Sequence, residues 1–141
     1  MAGSASLLWV VAGLAGLLTV APELDRAIEP ATAPAGGGFT IDRSPDGQFY
    51  TQAHAGGAAL RLMVDPGAEQ VLLSAPDAER LGLEVRPGFT PLTLPVLTVG
   101  PFQLQQVEAA IAPDLPVSLL GRSYLSRVGS WDVQGMRMVL R

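Results

Sequence analysis

Apolar or small residues alternate with polar ones over residues 49–55 of this chain. The pair Gly56-Gly57 then stands where a tight turn belongs, and residues 60–64 resume the alternation. A period of two is the period of a strand with one buried face, and a helix cannot bury such a pattern along one side. Two stretches of this kind on either side of a glycine pair predict an antiparallel β-hairpin.

The rest of the region from 45 to 141 predicts further short strands and two helical turns. Ser74 followed by Asp77 is an N-cap signature, so a first helix is predicted over about 75–81. A second is predicted over about 123–128. The remaining strands are predicted at 71–73, 96–99, 102–111, 131–133 and 136–140. We therefore expect a mainly β domain with one or two short helices.

Composition excludes several kinds of chemistry. The 141 residues include no cysteine and no lysine, and His54 is the single histidine. Disulfide frameworks, thiolate metal sites, histidine clusters and Schiff-base catalysis are thereby excluded. The formal net charge of −4, without any basic run, argues against nucleic-acid binding. We expect no metal, no cofactor and no nucleic-acid partner.

Residues 2–22 contain no charged side chain. A helix of this length, at about 1.5 Å rise per residue, spans roughly 30 Å, the hydrocarbon thickness of a bilayer. We therefore interpret 2–22 as a single transmembrane anchor. A cleaved signal peptide is the main alternative, because Thr19-Val20-Ala21 weakly resembles a cleavage site, although Pro22 would follow the cut. A buried helix of a soluble protein is the third.

Residues 23–44 are rich in proline, alanine and glycine, and include Gly36-Gly37-Gly38. Proline stiffens a chain and glycine loosens it, so the segment is interpreted as a semi-extended linker to a domain at 45–141. The residues just after 2–22 are mostly acidic, with only Arg26 opposing them. Cytoplasmic flanks usually carry the positive charge. We therefore expect the domain to face outward from the membrane.

Two short motifs follow apolar strands at widely separated places in the predicted β domain. The first is Asp65-Pro66-Gly67-Ala68, and the second, Leu119-Leu120-Gly121-Arg122, comes about fifty residues later. With the stretches 49–68, 71–83 and 118–128 around them, they resemble the two signatures of retropepsin-type aspartic proteases. The order of anchor, linker and roughly 100-residue domain is similar to that of the bacterial membrane-anchored branch of the family.

The resemblance implies a closed β-barrel that is half of an enzyme, with Asp65 as its catalytic residue. Hydrolysis of a peptide bond by carboxylates needs one base and one acid, and two carboxylates at about 3 Å share a single proton. A chain with one such aspartate implies a homodimer with a polypeptide substrate. In a bacterium, the predicted anchor and the outward-facing domain imply a single-pass protein of the inner membrane whose domain lies in the periplasm.

The resemblance also implies roles for residues around Asp65. Pro66, Gly67 and Ala68 support the active loop, and Gly67 lets the backbone amide approach the carboxylate. Glu69 and Arg122 match positions that form an ion pair in retroviral relatives. Leu119, Leu120 and Gly121 complete the second motif.

Two departures from the family pattern bear on catalysis. Pro66 replaces a threonine whose hydroxyl bonds across the dimer axis in the family, and proline has neither hydroxyl nor N–H. Only twelve residues, 84–95, separate Leu83 from Val96, where the family has a longer stretch with a substrate-covering hairpin, the flap. Pro87-Gly88 is at most a rudimentary turn there.

Alternatives to the protease hypothesis remain open on sequence. Asp-Pro-Gly is a good β-turn tripeptide in its own right. The domain is then either a catalytically degenerate, dimeric binding module or an unrelated small anchored β domain. His54 is interpreted as a surface residue, and Trp131 and Tyr124 as core or interface aromatics.

Overall fold

A computed structural model describes residues 38–141. The predicted anchor at 2–22 and residues 23–37 of the predicted linker lie outside this range. Within 38–141 no helix is long and apolar enough to cross a membrane. The strands are β1 (Phe39–Asp42), β2 (Tyr50–Ala55), β3 (Ala58–Val64), β4 (Val71–Leu73), β5 (Thr90–Val99), β6 (Phe102–Ile111), β7 (Ser118–Leu120), β8 (Trp131–Gln134) and β9 (Arg137–Leu140), and the helices are α1 (Ala75–Arg80) and α2 (Arg122–Leu125).

Six strands form a closed barrel in the order β2-β3-β7-β4-β6-β5. Most neighbours are antiparallel, but β7 runs parallel to β3 and β4 runs parallel to β6. The barrel closes where His54 of β2 pairs with Thr98 of β5. Its interior is filled by aliphatic side chains and one tyrosine, among them Leu60, Leu62, Leu73, Leu97, Ile111, Leu120 and Tyr124. The predicted mainly β barrel with two short helices is confirmed.

The β2–β3 hairpin forms as the period-two pattern predicts. Its six pairs run from Tyr50↔Met63 to Ala55↔Ala58. Gly56 and Gly57 both have positive φ, of 52° and 78°, the combination that a two-residue hairpin turn matching the twist of its strands requires. His54 is exposed on the outer face, as interpreted.

Helix α1 begins at the predicted residue but is not capped as predicted. Ser74 occupies the N-cap position, yet its side chain makes no cap hydrogen bond. The Ser74 hydroxyl instead lies 3.2 Å from the Ser118 hydroxyl oxygen, and the Ser74 N–H donates to Ser118 Oγ at 2.8 Å. A tertiary partner in β7 has therefore replaced the local cap.

Strand β5 is six residues longer at its start than predicted, because Pro91 and Pro95 do not interrupt it. Between residues 90 and 97 β5 is bonded only to β6, so each proline lies on an edge that needs no N–H donor. Opposite Pro95, Gln106 adopts φ 52°. The Arg127 guanidinium donates to the carbonyls of Gln105 and Gln106 and supports this local distortion.

A second sheet has the order β1-β9-β8. Residues 39–42 were assigned to the linker, but they form β1 and pair with β9, so the ordered domain includes Phe39. These residues alternate as Phe-Thr-Ile-Asp, but four residues are too few to predict a strand within proline- and glycine-rich surroundings. Strand β9 is paired with β1 on one side and with β8 on the other, so the final strand of the domain is not an edge.

Tyr124 of α2 is fully buried and links this helix to the β5–β6 turn. Its hydroxyl donates to the Phe102 carbonyl at 2.6 Å and accepts from the Val99 N–H at 3.2 Å. Burial raises the pKa of Tyr124 well above its ordinary value, so the hydroxyl stays neutral. Tyr124 is thus a core residue, as interpreted, whereas Trp131 is 37% exposed.

Candidate active site

The loop that joins β3 to β4 carries Asp65. The Asp65 N–H donates to the Leu120 carbonyl at 3.0 Å, and its own carbonyl accepts from the Ala68 N–H at 3.1 Å. Its carboxylate oxygen Oδ1 accepts from the Gly67 N–H at 2.9 Å. The side chain is half-buried, so the carboxylate is oriented by the backbone and still reaches solvent.

Residues of the second motif hold this loop in place. The Arg122 N–H donates to the Ala68 carbonyl at 2.9 Å, and the Ser123 N–H donates to the Glu69 carbonyl at 3.0 Å. A Cβ on Gly121 would lie 2.2 Å from the Gln70 carbonyl oxygen, so only glycine permits this approach. The two motifs, distant in sequence, form one backbone unit.

Leu119 and Leu120 supply the apolar part of that unit. Leu120 is fully buried and pairs with Val64 immediately before Asp65. Leu119 is nearly buried and lies between Met63 of β3 and Leu72 of β4. The strand that carries the second motif therefore fills the gap between the two strands that bear the Asp65 loop.

Ser123 completes the clamp, and sequence reasoning missed it. Its hydroxyl accepts from the Val71 N–H at 3.1 Å and donates to the Glu108 carbonyl at 2.7 Å. It thereby ties the end of the active loop to β6. Its position directly after Gly121-Arg122, at the start of a short helix, is the signal that could have identified it.

A buried polar cluster joins β7 to α1, and it was also missed. The Ser118 hydroxyl donates to Asp77 Oδ2, and Arg80 Nη1 lies 3.0 Å from Asp77 Oδ1. Ser118 is fully buried and Asp77 is 7% exposed. Buried carboxylates need such donors. The cluster fixes the start of the strand that leads to Gly121.

Glu69 and Arg122, the residues implied to pair, lie beside each other in a loose geometry. Arg122 Nη2 is 3.9 Å from Glu69 Oε1, and the two side chains are 59% and 89% exposed, respectively. Water screens such a pair, and exposed pairs contribute about 0–1 kcal/mol. Within one chain, the Glu69–Arg122 pair therefore stabilises the fold less than a buried ion pair would.

We accordingly expect weak coupling between these two charges. A double-mutant cycle with Glu69→Gln and Arg122→Gln, measured by chemical denaturation, should give a coupling energy under about 1 kcal/mol. A coupling of about 3 kcal/mol would instead show that the pair is desolvated, as contact with a second chain could cause.

Pro66 lies half-buried at the turn of the loop, directly after Asp65. The three residues after it are Gly67, Ala68 and Glu69, whose backbone groups make the contacts given above. The carbonyls of Ala68 and Glu69 are thus bonded by the second motif, while Pro66 can contribute no donor of its own.

Nothing resembling a flap hairpin stands between α1 and β5 in the described part of the chain. Residues 81–89 contain no strand, and Pro87-Gly88 forms only a bend. Phe89, next to it, is 57% exposed. In residues 38–141 there is also no group of three His, Cys, Asp or Glu side chains arranged to hold a metal ion.

A six-stranded closed barrel, with a half-buried Asp-x-Gly loop bonded to a strand that ends in Gly-Arg, is the retropepsin-like aspartic protease fold. Residues 51–127, more than half of the chain, match the family model of the gag-polyprotein putative aspartyl protease. The chain therefore belongs to the retropepsin-like aspartic protease family. The unrelated β domain, one of the three sequence hypotheses, is thereby wrong.

The chain is also similar to curated proteins. An uncharacterised protein in the cobV 5' region of Sinorhizobium sp. is 31% identical over an alignment 117 residues long, which covers 72% of this chain and 50% of that protein. The chain spans about half the length of the curated relatives it matches.

Two crystal structures share the fold. A retropepsin-like aspartic protease from Rickettsia conorii is 29% identical, with a TM-score of 0.67 over 74% of this chain and 88% of the other. The retroviral protease-like domain of Ddi1 from Leishmania major has a TM-score of 0.50 and 16% identity, covering 67% of this chain and 94% of the other. The second supports the fold alone.

Proposed function

We propose that this chain is one subunit of a homodimeric aspartic endopeptidase. The observation that carries the proposal is the Asp65 carboxylate, which is half-exposed, oriented by the Gly67 N–H and set in a loop bonded to the second motif. One chain supplies one such loop. A second copy related by a two-fold axis would bring a second Asp65 beside the first.

Two facing carboxylates perform both proton transfers of peptide hydrolysis. The ionised carboxylate takes a proton from a water molecule whose oxygen bonds to the carbonyl carbon of the substrate, while the protonated one supplies a proton to the carbonyl oxygen. Collapse of the tetrahedral species breaks the C–N bond, and the amine leaves with a proton from the dyad. The substrate class is an extended polypeptide with apolar residues at the cut.

The apolar segment 2–22 supports a membrane-anchored form of this enzyme. We place it in the inner membrane as a single span, with the catalytic domain in the periplasm. The acidic flank after the segment is the basis for this orientation. The long linker would let two domains meet on the outer side.

A second candidate function is a dimeric binding module without catalysis. Two observations favour it: Pro66 stands in place of the threonine of the family, and residues 81–89 form no flap hairpin. A module of this kind would hold extended peptide by strand addition. Peptide binding would then persist without turnover.

A peptidase assay separates the two candidates. The full-length chain in detergent, given unstructured polypeptide at acid pH, should cleave it in a pepstatin-sensitive manner. Activity should be strongest below about pH 6, because the dyad works with one shared proton. Binding of the polypeptide without cleavage, at every pH tested, would favour the binding module.

Restoring the threonine is expected to strengthen the dimer. Pro66→Thr adds a hydroxyl on each side of the axis, and each new hydrogen bond contributes about 0.5–1.5 kcal/mol. Two of them should lower the dimer dissociation constant roughly 5- to 150-fold and raise peptidase activity. Sedimentation velocity measures the first effect. Pro101→Thr, in the β5–β6 turn, is the control, and equal behaviour of the two variants would contradict the role given to position 66.

A further inference from the structure

A groove opens between β1 and β2. The two strands begin as neighbours, because Arg43 and Phe49 form an antiparallel bridge across the turn that joins them. They then diverge, since β1 pairs with β9 and β2 enters the barrel. The groove between them has a volume of about 420 Å³ and is lined by residues 39–42 of β1, by 50–52 and 54 of β2, and by Gly100. Two strands of one chain thus face each other across an open groove.

Strand β1 directs main-chain groups into this groove. In an antiparallel pair, only alternate residues bond to the partner strand. The Arg43 N–H donates to the Met136 carbonyl, so every second residue of β1 before Arg43 also bonds toward β9. The N–H and C=O groups of Thr40 and Asp42 therefore point away from β9, into the groove.

Strand β2 presents its main chain to the same groove. The Phe49 carbonyl accepts from the Val64 N–H, so every second residue of β2 after Phe49 bonds toward β3. Gln52 and His54 therefore direct their N–H and C=O groups to the opposite side. His54 pairs there with β5, but no strand of the described chain pairs with Gln52 on that side.

Thr40 and Gln52 are therefore two strand-edge residues that face each other. Continued past the Arg43–Phe49 bridge, the register would place Thr40 opposite Gln52. On the groove side, neither residue is paired with any strand in residues 38–141. Unpaired strand edges are sites where an extended chain adds. A chain between these two edges would bond to both, antiparallel to one and parallel to the other.

The groove has an apolar lining and a defined length. Phe39 and Ile41 line it from β1, and Ile41 is buried. The Arg43–Phe49 bridge bounds one end. At the other end the Phe39 ring packs on Gly100, where a Cβ would lie 2.6 Å from the ring. The four residues of β1 span roughly 13 Å at about 3.3 Å per residue, so the groove fits about four residues of extended chain.

We propose that this groove binds the polypeptide substrate, away from its cut site, as an added strand. The inference rests on the proposed function, because the occupant is the substrate of that enzyme. Two facing strand edges favour an extended main chain over a compact ligand. The described strands of a second copy are already bonded within their own sheets, so none is free to enter between two edges. Residues 81–89 form no flap hairpin, so the substrate has no strand to pair with there.

The groove lies close enough to Asp65 for one substrate to reach both. One end of the groove is the Arg43–Phe49 bridge, and Phe49 bonds to Val64, directly before Asp65. Since hydrogen-bonded strands lie about 4.8 Å apart, this end is roughly 10–15 Å from Asp65. At about 3.3 Å per residue, an extended substrate reaches the groove about four to eight residues from its cut.

Substrate length provides the first test. The full-length chain in detergent is given an unstructured polypeptide and a peptide of about six residues with the same cut site, too short to reach the groove. Thr40→Pro removes an N–H that points into the groove and breaks no bond to β9. It should raise the KM for the polypeptide at least about 5-fold relative to the KM for the short peptide. Thr40→Val keeps the N–H and should leave this ratio unchanged.

A second variant changes the groove after the chain has folded. The chain contains no cysteine, so Gln52→Cys can be alkylated at that position alone. Alkylation should raise the KM for the polypeptide relative to the KM for the short peptide. Glu79→Cys, at an exposed position of α1 that does not line the groove, is the control. An unchanged KM ratio in both Thr40→Pro and alkylated Gln52→Cys, or equal effects on the two substrates, would overturn the inference.

Binding distinguishes failure of this inference from failure of the proposed function. The inactive Asp65→Asn chain should bind labelled polypeptide, and adding Thr40→Pro should weaken that binding at least about 5-fold. Such weakening, alongside a wild type that cleaves nothing, would support the groove and contradict the endopeptidase. Cleavage by the wild type with an unchanged KM ratio in Thr40→Pro would overturn the groove alone. A changed dimer dissociation constant with an unchanged KM would assign the groove to a second copy and likewise overturn the inference.

Discussion

Asp65→Asn is expected to abolish peptidase activity and to leave the fold intact. One substitution removes the base and the acid together, because both copies of the chain lose their carboxylate. General acid–base catalysis contributes about 10²–10⁴-fold for each group, so the loss should be at least about 10⁴-fold. Asparagine keeps an Oδ1 acceptor for the Gly67 N–H, so the loop geometry should persist.

The chain contains a matched control for this substitution. Asp46 Oδ1 accepts from the Gln48 N–H at 2.9 Å, the same local hydrogen bond that Asp65 makes with Gly67. Asp46→Asn should therefore remove a carboxylate of equal local geometry without any effect on activity. If Asp65→Asn retains the activity of the wild type, the peptidase is a contaminant and this chain is not the catalyst.

Gly121→Ala is expected to have the largest effect on stability. Its Cβ would lie 2.2 Å from the Gln70 carbonyl oxygen and 2.8 Å from the Ala68 carbonyl oxygen, both of them backbone atoms that cannot rotate away. The active loop must shift, and its bonds to Arg122 and Ser123 weaken. We expect the free energy of unfolding to fall by about 3 kcal/mol or more, with loss of peptidase activity.

Chemical denaturation measures this loss, and Gly47→Ala is its control. Gly47 has a φ of 86° in an exposed turn, where an added Cβ meets no atom within 4 Å. Alanine there should lower stability by about 1–2 kcal/mol through backbone strain alone, without altering activity. A Gly121→Ala variant as stable as Gly47→Ala would show that the two motifs do not form one rigid unit.

The sequence predicted the fold wherever the signal was local. The alternation over 49–64 and the glycine pair within it are sufficient for the β2–β3 hairpin. The motif at Asp65 and that at Gly121 predicted the family because their order and spacing are specific. Pro95 misled the prediction of β5, since sequence alone does not show that a strand edge is free of a partner.

What could not be predicted depends on contacts between distant residues. Ser118 takes the place of a local cap partner at Ser74, and Ser123 bonds across to Val71 and Glu108. The pairing of β9 on both sides requires that β1 fold back onto the domain, and no local pattern encodes that return. The exposure of Glu69 and Arg122 likewise follows from packing, so their weak coupling could not be read from charge alone.

The stoichiometry of inhibitor binding tests most directly whether two chains form one catalytic site. Isothermal titration of the full-length chain in detergent with pepstatin at acid pH counts inhibitor molecules per chain. A dyad on a two-fold axis should bind one pepstatin per two chains, and Asp65→Asn should bind none. One pepstatin per single chain, or equal binding by Asp65→Asn, would contradict the shared Asp65 site.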